Sequence, residues 1–336
     1  MHEDAYIGCL LGTAVGDALG LPYEGVSPRR AARLFPDTSK HHLFFGKGMV
    51  SDDTEHACFV AQAIIRANGD VDVFRKRLAR SLRWWLLGLP AGVGFATLRA
   101  IVKLWLGFPP QKSGVFSAGN GPSMRSPIIG VVYGHDPEKL KQFVKASTEI
   151  THSDPKAYYA ALAVALAAYQ SADEQTPSAE KFLATLRDLL PEEDAQELHA
   201  LLQRKAECAN GISGYSYHTV PCVLQVWFAE SEDYAKGLQN IVKAGGDTDT
   251  AGAIYGGIVG ARTGKAGIPA SWLDNIIEWP RSIGWIGRLG EAVARSEGSS
   301  AVQCPRYFVP GVLLRNLLFL LVVLAHGFRR LAPPYG

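Results

Sequence analysis

The chain has 336 residues, 47% of them hydrophobic and 20% charged, and its formal net charge is +2. This length suffices for a well-buried core, and the balance of acidic and basic residues gives no strong signature of nucleic-acid binding or of an acidic partner. The five cysteines are scattered without a C-x-x-C spacing, which predicts neither a disulfide framework nor a zinc site. The first residues do not resemble a signal peptide. We therefore expect a cytoplasmic protein.

The stretch from residue 5 to residue 21 is rich in small and apolar residues, with a glycine at every fourth position from Gly8 to Gly20. This spacing places the glycines on one helical face, where another backbone can approach closely at some cost in helix propensity. Membrane dimerisation is the rival interpretation, but Asp17 within the stretch opposes it. Residues 251–264 have a similar composition, so we expect these two helices to touch in the core.

Residues 21–25 have the composition of a turn and include Glu24, whose simplest interpretation is a solvent-facing glutamate. Residues 29–47 are basic and rich in turn residues, which predicts a surface loop. The apolar spacing in residues 71–87 predicts a scaffold helix, and residues 88–94 predict a loop.

Two short acidic stretches lie far apart in the sequence, at residues 51–54 (Ser-Asp-Asp-Thr) and 247–250 (Asp-Thr-Asp-Thr). Each precedes an apolar run that predicts a helix. Mg²⁺ and Mn²⁺ prefer oxygen ligands, so two such clusters facing each other would hold a pair of divalent cations. Helix capping is the alternative, and Asp52 with Glu55 has the spacing of a capping box. Capping needs one polar residue, and two carboxylates at both places exceed that need. We therefore favour metal ligation.

Residues 117–125 form a stretch of glycines and small hydroxyl residues that leaves backbone N–H groups free to point at an anion. A plain Asn-Gly turn at Asn120 is the alternative. His152 lies just before residues 157–169, an alanine-rich segment that predicts a buried helix, and a lone histidine is more often structural than catalytic. The tyrosines of residues 213–219 could stack on a base or pack in the core, and both interpretations stay open.

Residues 171–208 are charged and periodic, which predicts one or two outer helices. Residues 317–325 are uncharged and strongly apolar. They supply about half of the ~20 residues that a membrane-spanning helix needs, and Arg315 and Asn316 interrupt extension upstream. We expect a helix docked on the core or on a partner chain rather than a transmembrane span, with weak attachment to a membrane surface as the outside alternative.

Long stretches of helical periodicity separated by Gly/Pro loops, with few alternating segments, predict an all-α, compact single-domain globule. We place the main domain at residues 1–300 and an apolar and basic helical extension at residues 301–336. The functional site is expected in a cleft lined by loops and helix starts. The sequence leaves the oligomeric state open.

Several separated motifs, in this order, resemble the ADP-ribosylglycohydrolases, and the resemblance extends from Gly8 to about Gly264. Any one motif alone would be weak, but their order and combination are specific. The motifs are residues 8–12 and 16–20, residues 51–54, residues 119–121 with Met124 and Arg125, residues 151–153, residues 213–215 and residues 246–250.

The resemblance implies the same helical fold, binding of ADP-ribosylated substrate, release of free ADP-ribose, and a site with two divalent cations, Mg²⁺ or Mn²⁺. Ser51 stands where threonine is usual in the family, but it keeps the hydroxyl. The implied metal ligands are Ser51, Asp52, Asp53, Asp247, Asp249 and Thr250. The implied substrate-binding residues are Ser117, Gly119, Asn120, Gly121, Ser123, Met124, His152, Gly214 and Tyr215. The implied catalytic residues are Glu24, Asp53 and Asp249, with Glu24 and Asp53 the unranked candidates for the general base.

Three functions follow as hypotheses. The first is metal-assisted hydrolysis of the glycosidic bond at the anomeric carbon of ADP-ribose. The second is a catalytically inactive ADP-ribose-binding or structural protein on the same fold, and the third is a two-metal nucleotide phosphoesterase. All six implied ligand positions hold competent residues, which favours an enzyme. Arginine-directed relatives typically carry an aspartate where this chain has Gly92, so we expect a neutral leaving group to be preferred over arginine.

Overall fold

The structure is a computed structural model that describes residues 2–173, 178–204, 208–297, 299 and 302–331. Within these ranges the regular elements are helices, and β pairing is limited to isolated bridges. The prediction of an all-α fold is confirmed. The helices are α1 (Glu3–Gly20), α2 (Pro28–Leu34), α3 (Asp52–Ala67), α4 (Val71–Leu87), α5 (Phe95–Trp105), α6 (Pro110–Ser113), α7 (Gly121–Met124), α8 (Pro127–Tyr133), α9 (Pro137–Glu149), α10 (Pro155–Ala172), α11 (Ala179–Leu189), α12 (Glu192–Gln203), α13 (Ser216–Ala229), α14 (Tyr234–Ala244), α15 (Thr248–Thr263), α16 (Ala270–Asp274), α17 (Ile283–Ser296) and α18 (Gly311–Leu331).

The centre of the domain is an antiparallel seam between α1 and α15, in which glycines of one helix face the backbone of the other. A methyl group at Gly16 would lie 1.9 Å from the carbonyl oxygen of Gly252, and one at Gly12 would lie 2.1 Å from that of Gly256. Only glycine allows so close an approach. The expected contact between the two helices is confirmed, and the seam brings the end of α1 beside the start of α15.

The remaining helices surround this seam. Helix α10, whose residues from Ala160 to Ala168 are almost fully buried, packs against α8 and α15, as its alanine-rich sequence predicts. Helix α3 packs against α1, α4 and α17. The scaffold helix predicted at residues 71–87 is α4, with the same bounds, and the charged outer region contains α11 and α12.

One prediction about a loop was wrong. Residues 29–47 were expected to form a surface loop, but they overlap α2 and bury Phe35, His41 and Leu43. Pro28 occupies the first helical position, where its missing N–H costs nothing, and Ala31 lies four residues before Phe35 on the inward side. Helix α13 begins at Ser216, so the last part of the tyrosine-containing stretch at residues 213–219 is helical.

The prediction that the cysteines form no disulfide was also wrong. Cys208 and Cys222 are bonded, with their Cα atoms 5.9 Å apart. The short 3₁₀ turn Cys208–Asn210 lies against α13, so chain folding joins two cysteines whose spacing carries no motif. Cys9, Cys58 and Cys304 are free. Cytoplasmic location stays a prediction, and the cysteine pattern supports it less than the sequence alone suggested.

Helix α18 extends beyond the uncharged residues 317–325. Arg315 and Asn316 lie inside the helix and bond to the domain. Arg315 pairs with Glu278 at 2.6 Å, and the Asn316 side chain donates to the carbonyl oxygen of Gly88 at 2.8 Å. Among the described residues, two stretches are long and apolar enough to cross a membrane. In the apolar 18-residue window of Glu3–Tyr23, 94% is buried inside the domain, against 28% in the corresponding window of Gly311–Leu331. The prediction of no transmembrane span stays a prediction.

Candidate functional site

One cleft collects most of the residues that the sequence singles out. Both acidic stretches, Glu24, the loop before α7 and His152 line it. Helix α5, the preceding loop and α18 complete its wall. Of the predicted residues, two do not line the cleft: Ser123 is buried beneath the loop, and Tyr215 is exposed with its hydroxyl 3.4 Å from the Lys156 ammonium. The lining side chains are Leu21, Glu24, Ser51, Asp52, Asp53, Ala91, Phe95, Ala96, Thr97, Ser117, Asn120, Met124, His152, Asp247, Asp249, Thr250, Phe319 and Val323, with glycines at 92, 94, 119, 121 and 214.

The first acidic stretch begins α3 and is held by a carboxylate from α1. Ser51 is the N-cap, and its hydroxyl accepts from the backbone N–H of Asp53. The fully buried Asp17 accepts from the backbone N–H of Ser51 at 2.9 Å and from that of Thr54 at 3.1 Å. The Thr54 hydroxyl donates to the same carboxylate at 2.5 Å. The same stretch therefore caps the helix and lines the cleft. Ser51 and Asp17 accept hydrogen bonds from the free backbone N–H groups at the start of α3, so the Asp52 and Asp53 side chains remain for the cleft.

Burial and like charge raise the pKa values of this group of acids. Burial raises the pKa of Asp17 to about 6, against the hydrogen bonds that oppose the shift. Burial, followed by the charge of Asp17, raises the pKa values of Asp52 and Asp53 well above the usual aspartate range. Crowded carboxylates of this kind gain from a bound cation, which neutralises their repulsion.

The second acidic stretch is held mainly by backbone contacts at a glycine. Gly246 has φ +83°, and its N–H donates to the carbonyl oxygen of Val26 at 3.0 Å. The N–H of Asp247 donates to the carbonyl oxygen of Ile212 at 2.8 Å. The Asn120 side chain donates to the Asp247 carboxylate at 2.7 Å, which links this stretch to the loop before α7. Burial, then the charge of Glu24, raises the pKa of Asp249 well above its usual range.

The chemistry of the donor set fits divalent cations. One carboxylate oxygen of Asp53 and one of Asp249 are buried without a hydrogen-bond partner. The Thr250 hydroxyl lies 3.4 Å from the other oxygen of Asp53, so the two stretches meet. Buried, unpaired carboxylate oxygens are costly unless a cation or a proton satisfies them. In the described part of the chain no three Asp, Glu, His or Cys side chains form a ready-made coordination group, so the pair of cations stays a prediction.

Glu24 lies at the rim of the cleft, next to the second acidic stretch. The N–H of Gly25 donates to the carbonyl oxygen of Gly246 at 2.7 Å, and Arg330 of α18 donates to the carbonyl oxygen of Glu24 at 2.6 Å. Glu24 keeps exposed surface, but reduced hydration within the cleft raises the pKa of its carboxyl, and the charge of Asp247 adds to the shift. Its backbone is therefore fixed while its carboxyl faces the cleft.

The loop before α7 is shaped by glycines packed against His152. An added Cβ at Gly119 would lie 3.0 Å from the His152 Nε2 atom, and one at Gly121 would lie 3.2 Å from its ring carbon. The backbone N–H of Asn120 donates to the carbonyl oxygen of Gly214 at 3.0 Å. Ser117 and the glycines therefore present little side-chain bulk, as a surface that receives a large polar ligand requires.

His152 is positioned by a buried arginine through a threonine. Arg125 donates to the Thr151 hydroxyl at 2.7 Å and to the Ser147 hydroxyl at 3.0 Å. The same Thr151 hydroxyl lies 2.8 Å from the Nδ1 atom of His152. Burial, then the charge of Arg125, lowers the pKa of His152 to about 3, so the ring is neutral at pH 7. A neutral ring at this place can bind a ligand by hydrogen bonding, and it is not an acid at pH 7.

Sequence reasoning missed two groups. Asp17 was noted only as evidence against a membrane helix, although a lone carboxylate in a glycine-rich apolar helix could have indicated a buried acceptor. Phe319 and Val323 of α18 line the cleft, and Phe319 packs against Leu21 and Leu43. No local signal links α18 to the acidic stretches, because the contact depends on the tertiary path of the chain.

The fold and the cleft define an all-α domain in which two acidic helix starts face a loop shaped to receive a large polar ligand. The chain belongs to the ADP-ribosylglycohydrolase family, whose model matches residues 1–301. Membership supports ADP-ribosyl hydrolase activity, and the family resemblance predicted from the motifs is confirmed.

Three relatives and one solved structure show the extent of this similarity. An uncharacterised protein of Archaeoglobus fulgidus is 32% identical over 82% of this chain and 92% of its own length. The ADP-ribosyl-[dinitrogen reductase] glycohydrolase of Rhodospirillum rubrum is 29% identical over 82% and 90%. The human ADP-ribosylhydrolase ARH3 is 26% identical over 79% and 87%. A structure titled ADP-ribosylglycohydrolase-related protein complex superposes with a TM-score of 0.71 at 28% identity and covers 88% of this chain and 98% of its own.

Proposed function

We propose that this protein hydrolyses the glycosidic bond between ADP-ribose and an acceptor, and that it does so with two divalent cations, Mg²⁺ or Mn²⁺. The observation that carries the proposal is the meeting of two acidic helix starts, with unpaired buried oxygens on Asp53 and Asp249, in one cleft. The ligands would be Ser51, Asp52, Asp53, Asp247, Asp249 and Thr250. When bound, the cations supply Lewis acidity at the ribose hydroxyls and at the water that attacks.

The chain's own groups divide the remaining work. The loop from Ser117 to Met124, with His152, would hold the diphosphate and the neighbouring ribose, and Gly214 continues that surface. Negative charge around the anomeric carbon favours an oxocarbenium-like transition state, so the acidic stretches also act electrostatically. Water adds across the bond: its hydroxyl joins the anomeric carbon, and a proton passes to the leaving group.

Between the two candidate bases we favour Glu24. One oxygen of the Asp53 carboxylate accepts from the Ser51 hydroxyl at 3.0 Å and lies 3.4 Å from the Thr250 hydroxyl, so it is engaged within the ligand set. Glu24 faces the cleft from its rim, and its pKa is raised, which suits a group that must take up a proton. Asp53 and Asp249 then serve the ligand set.

We also infer that a neutral acceptor is preferred over arginine. Gly92 lines the cleft and offers no carboxylate. Asp70 and Asp72 do not supply one either, because Asp70 accepts hydrogen bonds from the start of α4 and Asp72 pairs with Arg75. Outside the acidic stretches, the cleft wall near this loop carries Ala91 and Phe95. The loop at Gly92 thus offers no carboxylate that could form a bidentate pair with a guanidinium.

The test is product analysis with matched acidic variants. Asp52→Asn and Asp249→Asn should lower the release of ADP-ribose by at least about a hundredfold, because each removes a charged ligand. Asp72→Asn, which also lies in the first turn of a helix, is the control and should keep full activity and cation dependence. Undiminished turnover in both cleft variants, or in excess chelator, would refute the two-cation proposal. Release of inorganic phosphate would indicate the phosphoesterase instead.

The acceptor is tested by comparing kcat/KM for serine-linked and arginine-linked ADP-ribose. We expect a preference for the serine-linked substrate. Gly92→Asp should raise kcat/KM for the arginine-linked substrate, and an added Cβ at this position meets no atom within 4 Å. Because Gly92 has φ +78°, Gly92→Asn serves as the control for backbone strain. A clear preference of the native protein for arginine would contradict the inference.

A further inference from the structure

Helix α18 buries polar side chains together with Phe319 against the domain, and its face toward solvent is apolar. Arg315, Asn316 and His326 are buried, with exposures of 6%, 0% and 5%. Between residues 313 and 328, every exposed side chain is apolar. The exposed large apolar side chains of the helix are Leu313, Leu314, Leu317, Leu318, Leu320, Leu321, Leu324, Phe328 and Leu331. Helices on the surface of a soluble domain show the opposite arrangement.

The inner contacts fix this orientation along the length of the helix. Arg315 donates to the Glu278 carboxylate at 2.6 and 2.8 Å, and to the carbonyl oxygen of Val50. The Asn316 side chain donates to Gly88, and the His326 ring lies 2.9 Å from the carbonyl oxygen of Pro22. A rotation that hid the leucines would break a buried ion pair and expose these groups unpaired. The apolar face is therefore held outward.

The apolar surface extends beyond the helix itself. Phe308 and Val309, just before α18, are 60% and 64% exposed. Leu89 follows Gly88, the acceptor for Asn316, and is 60% exposed. Phe45 lies in the turn after Leu43, which packs on Phe319, and it is 90% exposed. Extensive exposed apolar surface of this kind marks an interaction site, and exposed aromatic residues near a leucine-rich helix are typical of membrane-surface helices.

A cluster of arginines lies at the C-terminal end of the same helix. Arg30 of α2 donates to the carbonyl oxygen of Arg330, and the Arg329 guanidinium lies 5.8 Å from the Phe35 ring centre. Helix α2 also exposes Arg29 and Arg33. Apolar side chains beside clustered arginines complement an anionic lipid surface, where the leucines enter the acyl boundary and the arginines meet the headgroups.

We propose that the outer face of α18, with the arginines of α2, docks this protein on the surface of an anionic membrane. The helix lies in the plane of the surface and does not span it, because its inner face bonds to the domain from Arg315 to His326. A second copy is the less suitable occupant, since the apolar surface reaches past one helix to Phe45 and Leu89. This inference stands independently of the hydrolase activity.

The test uses the full chain and vesicles of phosphatidylcholine, with or without about 30% phosphatidylglycerol, in a flotation assay. We expect binding to the anionic vesicles that weakens as NaCl rises from about 0.1 to 0.5 M. Leu317→Gln with Leu321→Gln should weaken that binding at least about tenfold, because two leucines leave the acyl boundary. Arg29→Gln with Arg33→Gln should weaken binding to anionic vesicles and remove much of its salt dependence.

The matched control is Val102→Gln with Leu106→Gln, at the C-terminal end of α5. These residues are 45% and 73% exposed, against 44% and 63% for Leu317 and Leu321. The control should bind vesicles like the native protein, and all three variants should keep the native melting temperature within a few degrees. Failure of the native protein to float with anionic vesicles would overturn the proposal. So would a dimer in sedimentation velocity that the leucine variant dissociates without any vesicle binding.

Discussion

The two acidic stretches perform matching tasks, but the chain positions them by different means. The stretch at α3 is held by a buried side chain, since Asp17 accepts from two backbone N–H groups and one hydroxyl. The stretch at α15 is held by backbone, since Gly246 and Asp247 bond to Val26 and Ile212. The first stretch depends on one carboxylate and the second on the conformation of a glycine. Substitutions near the two stretches should therefore have different effects on stability and on cation binding.

Both arrangements depend on the glycine seam. Gly20 at the end of α1 faces the carbonyl oxygen of Thr248, where an added Cβ would lie 2.2 Å away. Asp17 belongs to α1, and Asp249 belongs to α15. The separation of the two stretches is thus set by how closely the two helices pack. Close packing of small residues serves the site as well as the core.

The largest effect is expected where the seam itself is opened. Gly16→Ala places a methyl group 1.9 Å from the Gly252 carbonyl oxygen, so the backbones must separate, and the free energy of unfolding should fall by about 3 kcal/mol or more. Gly287→Ala is the control, because that helical glycine has no atom within 4 Å of the added methyl group, and it should gain up to about 1 kcal/mol. Urea unfolding measures both. A cost below about 1 kcal/mol at Gly16 would show that the seam is pliable.

The next effect separates the first stretch from the second. Asp17→Asn keeps the shape but turns an amide group toward donors, so the free energy of unfolding should fall by about 2 kcal/mol. The rise in melting temperature produced by Mg²⁺ should also shrink, because a neutral amide is a weaker acceptor for Ser51 and Thr54 than a carboxylate. Thr54→Val is the control, since it removes only the hydroxyl donor and should cost less. Unchanged Mg²⁺ stabilisation in Asp17→Asn would show that α3 holds its stretch without α1.

The second stretch should respond more mildly to the loss of its side-chain contact. Asn120→Ala removes the 2.7 Å bond to Asp247, but Gly246 and the Asp247 backbone keep their partners, so a loss of about 1.5 kcal/mol is expected. Stabilisation by free ADP-ribose, measured as a melting-temperature shift, should fall as well, because Asn120 lines the cleft. A loss of Mg²⁺ stabilisation as severe as in Asp17→Asn would contradict the contrast between the two stretches.

Much of this arrangement could be predicted from the sequence because its determinants are local. The four-residue spacing of the glycines indicates the seam, and paired carboxylates before apolar runs indicate the site. The role of Asp17 and the α18 wall could not be predicted in this way. Asp17 bonds to a helix that begins 35 residues later, and Phe319 reaches the cleft through contacts with Leu21 and Leu43. Such contacts follow from tertiary packing, which leaves no periodic signal in one sequence.

The smallest expected effect concerns His152, which packs against the loop before α7. The pKa of this histidine tests whether the charge of the acidic stretches reaches it. Nearby carboxylates would raise the pKa of this histidine, but burial and Arg125 lower it to about 3. A depressed pKa means that protons bind the unfolded chain more readily. The contribution of neutral His152 to stability is therefore complete above pH 6.5 and is lost as pH falls from 6.5 toward 3.

Between pH 7 and pH 6 the native protein should lose about 0.7 kcal/mol of stability relative to His152→Gln, which has no proton to take up. Comparing urea unfolding of the two proteins at each pH isolates this term from the carboxylates, whose raised pKa values act in the opposite direction and are shared by both. A difference that stays flat with pH would show that the pKa of His152 is not lowered by folding. A difference that grows in favour of the native protein as pH falls would show that the acidic stretches hold the histidine protonated. His152 would then present positive charge toward a diphosphate. It would be a third charged element of the cleft, beside the two acidic stretches.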